Sequence, residues 1–149
     1  VMRDIYPSTF LSPNPNSPRW DFTRFTPDIV SICLGTNDFS DGDGSVPRAP
    51  FDPALFIPAY VDFIKTVHGY YPEARIIITN TPMLDGQKNE ILMDCLQQIK
   101  TKAEASLPGL KPMYLFSFSS VYRSGCLGHP SVEEHGKMAE EFLDFLEGI

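Results

Sequence analysis

The chain has 149 residues, 42% of them hydrophobic, with 12 basic against 19 acidic side chains and a net charge of −7. That is about one domain, with enough apolar material for a core. The acidic balance excludes the basic stripe that nucleic-acid phosphates require and argues against docking on anionic membranes, so neither nucleic acid nor membrane is expected as a partner. No apolar run reaches the ~18 residues of a transmembrane helix.

Prolines crowd the front of the chain: 9 of the 14 lie before residue 59. The stretch Pro7 to Pro27 cannot hold a long helix, because each proline removes a donor and restricts its predecessor. Residues 1–27 are therefore expected to be an extended segment, anchored by Trp20, Phe22 and Phe25. Asp28 to Leu34 is a β-branched apolar run ended by Gly35, which predicts a buried strand. Phe56, Tyr60, Phe63, Ile64, Val67 and Tyr71 share one helical stripe, with Pro58 placed in the first turn. Ala74 to Asn80 predicts a second strand, and Leu92, Cys95, Leu96, Ile99 and Ala103 a second helix. Met113 to Phe118 predicts a third strand. Ser131 and Glu134 form a capping box opening a last helix, whose stripe is His135, Met138, Ala139, Phe142 and Leu146.

Strands alternating with amphipathic helices predict an α/β fold on a parallel sheet, with ligands bound outside the carboxyl ends of the strands. Two unusual segments fall at that edge: Gly35-Thr-Asn-Asp-Phe39 and Gly125-Cys-Leu-Gly-His-Pro130. In the first, Gly35 permits a sharp exit from the strand, Asn37 offers a neutral amide donor to a developing oxyanion, and Asp38 can lock the loop. The same residues also suit an ordinary polar turn. In the second, His129 is placed as a general base because imidazole titrates near neutrality, although an exposed loop histidine also fits. His68 suits the charge at a helix C-terminus, and His135 is expected to be a packed core group. Asp41-Gly-Asp-Gly44 lacks the glycine and glutamate spacing of a calcium loop, and Cys126 with His129 lacks a second ligand pair for zinc. Cys33, Cys95 and Cys126 are too scattered for a disulfide framework; the first two are expected buried and the third accessible.

Gly-x-Asn-Asp after a strand, with a His-Pro loop before the final helix, resembles blocks III and V of the SGNH (GDSL-type) hydrolases. The wording PDIVSICLGTNDFS, YYPEAR and GCLGHPSVEEHGKMAEEF is similar to carbohydrate esterase family 2, the acetylxylan-esterase-like branch, over about residues 20–147. The resemblance implies a three-layer α/β/α, flavodoxin-like fold, with about three parallel strands and three helices present. It implies Asn37 as an oxyanion donor, His129 as the base that activates a serine, and Gly35 and Asp38 as the supporting loop. No cofactor or metal is implied. The expected activity is removal of acetyl groups from a polysaccharide such as xylan, in a secreted or periplasmic setting, with acetylated oligo- or polysaccharide as partner.

The family's nucleophile lies in a Gly-Asp-Ser motif, which does not occur in this sequence. Residues 1–149 are thus expected to be the C-terminal portion of one such domain. The serine strand would lie upstream beside Asp28–Leu34, on the order of 60 residues being absent at ~30 per βα unit. Where the family carries an acid two or three residues before the histidine, this chain has Leu127 and Cys126, so a serine–histidine dyad oriented by a backbone carbonyl is expected. Ser40, Ser119, Ser120 and Ser124 lack the context of a strained nucleophile turn. Trp20, Phe39 and Tyr122 are candidate sugar-binding aromatics, at least one of them expected in the cleft. The rival reading is a non-catalytic module of the same fold that binds carbohydrate or a protein.

Overall fold

A computed structural model of the chain describes residues 2–10, 16–42 and 44–149. Its centre is a parallel three-stranded sheet in the order β1 (Ile29–Cys33), β2 (Arg75–Thr79), β3 (Tyr114–Phe116). Val30 pairs in register with Ile76, and Ile77 with Tyr114. A short helix α1 (Met2–Ile5) precedes the sheet; α2 (Pro53–Tyr70), α3 (Gly86–Ser106) and α4 (Val132–Glu147) follow the three strands in turn.

The period of two in the strands divides them between two layers. Val30, Ile32, Leu34, Ile76 and Ile78 face the main core, formed with Ile57, Tyr60, Phe63, Ile64 and Val67 of α2 and Leu92, Cys95, Leu96, Ile99 and Ala103 of α3. On the opposite face Phe116 packs against Phe142 and Phe145 of α4, ring centroids 5.1 and 5.0 Å away. The result is the expected α/β/α sandwich. It is thinner at β1, where Ile29, Ser31 and Cys33 point to the α4 side of the sheet yet remain exposed. This corrects the expectation that Cys33 is buried, although its thiol does turn toward the Asn80 carbonyl at 3.4 Å. Cys95 is buried and Cys126 exposed.

Several local expectations change for physical reasons. The Asp52 carboxylate caps α2 by accepting from the Ala54 amide at 2.8 Å, and Pro53, not the expected Pro58, occupies the first turn. Pro58 lies inside the helix instead. His135 is exposed, because α4 turns Met138, Phe142, Phe145 and Leu146 toward the sheet. Of the three expected anchors in the N-terminal segment Phe22 holds, its ring stacked on Tyr70 at 3.6 Å, and Tyr6 joins it edge-on to Phe63 at 5.2 Å, whereas Phe25 is exposed. Part of that segment, residues 11–15, and Asp43 of the weighed calcium loop lie outside the described residues.

Candidate active site

At the exit of β1 the backbone turns at Gly35, whose φ of +126° suits glycine; a Cβ there would also stand 2.9 Å from Leu92 Cδ1. The Asp38 and Phe39 amides donate back to the Gly35 carbonyl, at 3.0 and 3.3 Å, closing a single 3-10 turn over Thr36–Phe39. The turn is held from both sides. Arg48 Nη1 donates to the Asn37 carbonyl at 3.0 Å, and Lys88 Nζ to that of Phe39 at 3.1 Å. Asn37 itself is exposed at the carboxyl edge of the sheet. Asp38 is exposed by surface, yet the protein mass around its carboxyl desolvates it and pushes its pKa up, against the pull of its own amide and of Arg48.

The second segment is a knot built on Gly125. Its amide donates to the His129 carbonyl at 2.7 Å, while the Gly128 and His129 amides return to the Gly125 and Cys126 carbonyls. Leu127, in the left-handed region at φ +54°, is 91% exposed. Glu134 ties this knot to α4, accepting from the Ser124 amide at 2.9 Å and the Ser131 amide at 2.8 Å; the Ser131 hydroxyl in turn accepts from the Glu134 amide. The Ser131 amide, with those of Ser124 and Arg123 behind it, holds the Glu134 carboxyl below its ordinary value. Farther along α4, Glu141 accepts from the Ser119 amide and hydroxyl and from the Tyr122 hydroxyl.

His129 is exposed, and its Nδ1 lies 3.3 Å from the Cys126 carbonyl. With the proton on Nδ1, that contact is a hydrogen bond to a backbone oxygen, and Nε2 carries the basic lone pair. The Cys126 carbonyl thus orients this ring, at a position where the sequence carries no acid.

Among the serines, the Ser119 hydroxyl is committed to Glu141 and the Ser40 hydroxyl accepts from the Gly42 amide at 3.1 Å. Phe39 and Tyr122, expected as sugar platforms, are packing residues 8% and 7% exposed: Phe39 stacks on Phe51 at 3.9 Å, and Tyr122 is pinned between Pro82 and Glu141. Trp20 is 42% exposed and carries Arg24 over its ring, but it lies with Phe22 and Arg19 near Tyr70, at the end of α2 that leads into the start of β2. That is the edge of the sheet opposite Asn37. The concavity beside Asn37, of about 870 Å³, is lined instead by Asp38, Arg48, Phe51 and Phe56, and runs along α2 to Arg3. Among the described residues no group of three or more His, Cys, Asp or Glu side chains gathers to hold a metal.

No family model matches the chain. It is 30% identical, over 98% of its own length and 37% of the relative's, to an acetylxylan esterase / glucomannan deacetylase of Cellvibrio japonicus. A family two carbohydrate esterase structure from the same organism superposes with a TM-score of 0.80 at 28% identity, covering 98% of this chain and 40% of that one. The chain's homologues are family 2 carbohydrate esterases. A second such structure, from Clostridium thermocellum in complex with cellohexaose, gives a TM-score of 0.78 at 30% identity, over 99% of this chain and 43% of that one. The chain therefore spans about two fifths of the length of each of these three proteins.

Proposed function

We propose that this chain is the C-terminal portion of one carbohydrate esterase domain that removes acetyl groups from a plant polysaccharide such as xylan, and that it supplies the oxyanion donor and the general base to a nucleophilic serine lying upstream. The observation that carries the reading is the His129 imidazole, seated with Nδ1 on the Cys126 carbonyl at the end of a tight glycine knot. In this mechanism the serine Oγ attacks the acetyl carbonyl while His129 Nε2 takes its proton. The Asn37 amide donates to the oxyanion, on a turn that Gly35 and the Asp38 amide hold in place. His129⁺ then protonates the departing sugar oxygen, and water repeats the sequence to release acetate. The Cys126 carbonyl fixes the tautomer and ring orientation but cannot neutralise the imidazolium as a carboxylate would. A secreted or periplasmic location accompanies a polymeric plant substrate.

The test is hydrolysis of an aryl acetate and acetate release from acetylated xylan by the natural polypeptide that contains this chain. Asn37→Ala should lower kcat by about 10²-fold, the usual cost of one oxyanion donor. His129→Ala should be nearly silent. Sugar binding without acetate release, in a polypeptide that carries a Gly-Asp-Ser strand, would replace the esterase by the non-catalytic module.

A further inference from the structure

Asn37 and His129 stand on loops that leave β1 and β3, and β2 separates those strands. The loop after β2 contributes none of the residues assigned to the chemistry, yet it bonds to both of the others. Thr81, 1% exposed, accepts the Thr36 hydroxyl at 2.5 Å and the Met83 amide at 3.3 Å. Thr36 directly precedes Asn37. The next residue, Pro82, accepts the Tyr122 amide at 2.7 Å, and Asp85 holds Arg123 at 2.6 Å, three residues before Cys126. Just before Thr81, Asn80 is 3% exposed and accepts the Phe118 amide through Oδ1 at 2.9 Å, while its Nδ2 donates to Asn89.

A buried polar side chain is tolerated only when it is bonded, and its bonds then dictate geometry strictly, because losing one leaves an unsatisfied group in a low dielectric. Of the two buried side chains, Thr81 reaches the Asn37 turn through Thr36 and Asn80 reaches the Phe118 amide at the start of the loop that leads to His129, where the Pro82 carbonyl and Asp85 add bonds to Tyr122 and Arg123. From this geometry we infer that the segment Asn80–Asp85 is the bridge that sets the two halves of the site in register, and that Thr81 is the positioning residue for the Asn37 turn. The inference rests on the esterase reading for its functional consequence, but its structural consequence stands without it.

The experiment compares Thr81→Val, which keeps the shape and removes the acceptor, with Thr81→Ser, which restores it, in the natural polypeptide containing this chain. With rates normalised to titrated active sites, Thr81→Val should lower kcat for the aryl acetate about tenfold with KM within about twofold, since small misplacement of a transition-state donor acts on kcat. Thr81→Ser should recover most of that loss. The acid limb of the pH–rate profile should not move. In the same samples, exchange of the Asp38 amide, bonded to Gly35, should quicken by about tenfold in Thr81→Val while the β2 amides keep their protection. Thr81→Val with unchanged kcat and unchanged Asp38 exchange overturns the inference, as does Thr81→Ser no better than Thr81→Val. If the wild type hydrolyses no ester, the esterase reading falls, and Asp38 exchange alone decides whether the bridge exists.

Discussion

Gly125→Ala should break the His129 loop, and it isolates sterics from backbone strain. At Gly125 the backbone is extended, φ −84° and ψ −165°, which alanine adopts without cost. What alanine cannot do there is fit. Its Cβ would stand 2.8 Å from the His129 carbonyl oxygen, 2.9 Å from that of Pro130 and 2.9 Å from the Ser131 amide nitrogen. All three are main-chain atoms, and each is about half an ångström or more inside ordinary contact, so the chain itself has to move. Overpacking of this kind costs about 1–3 kcal/mol, and losing the Gly125–His129 hydrogen bond adds about 1 kcal/mol. We expect the amide of residue 125 to exchange at least about thirtyfold faster than in the wild type, as a loss near 2 kcal/mol implies. The His129 ring resonances should shift as well. Gly128→Ala is the control: it meets nothing within 4 Å, so it tests only the cost of φ +74°. Wild-type exchange at residue 125 together with unmoved His129 resonances would refute the steric argument.

The Glu134 carboxyl, held low chiefly by the Ser131 amide, contributes stability that is present above its ordinary value of 4.5 and lost as pH falls through its folded pKa. Protection of the Ser124 and Ser131 amides should therefore fade below about pH 4.5, and Glu134→Gln should flatten that dependence; an equal fade in the variant would contradict the clasp. Thiol labelling followed by mass spectrometry should modify Cys126 first, then Cys33, whose thiol burial pushes its pKa up, and Cys95 only on unfolding; labelling of Cys95 at the rate of Cys126 would count against the packing. Residues 1–149 prepared alone should self-associate through the β1 edge, read by light scattering, and a monodisperse monomer at high concentration would show that this edge is harmless.

The parts of the fold legible in the sequence are those that depend on local spacing. The α3 stripe Leu92, Cys95, Leu96, Ile99 and Ala103 is buried residue for residue, and Ser131–Glu134 is a reciprocal cap, because both patterns are written within one or two helical turns. The Asn37 turn and the His129 loop were legible for the same reason: glycine, asparagine and histidine declare themselves within five or six positions. What holds those loops was not. Arg48 on the Asn37 carbonyl, Lys88 on that of Phe39, and Thr81 beneath Thr36 are contacts across 11, 49 and 45 positions, invisible to any periodicity. The aromatic residues failed for a related reason: Phe39 and Tyr122 are close to the edge in sequence, but neighbours distant in sequence, Phe51 and Glu141, turn them inward.

β1 shows where local pattern and environment part company, and the disagreement is informative. Its residues read as an apolar run interrupted only by Ser31, the composition of a strand buried on both faces within a parallel sheet. The structure covers one face with α2 and α3 but leaves Ile29 38% exposed on the other, and among the described residues no strand pairs the outer edge. Natural edge strands are normally blunted by lysine, proline or a bulge, and Ile29–Cys33 has none of these residues. Agreement between local composition and surroundings is the usual mark of a finished fold. The composition of β1 is that of an interior strand, which is the position the proposed upstream serine strand would give it. Such a strand would also bring its own carboxyl end beside Gly35, on the Asn37 side of the sheet. The placement that would relieve the exposed edge is also the one the proposed esterase mechanism would call for.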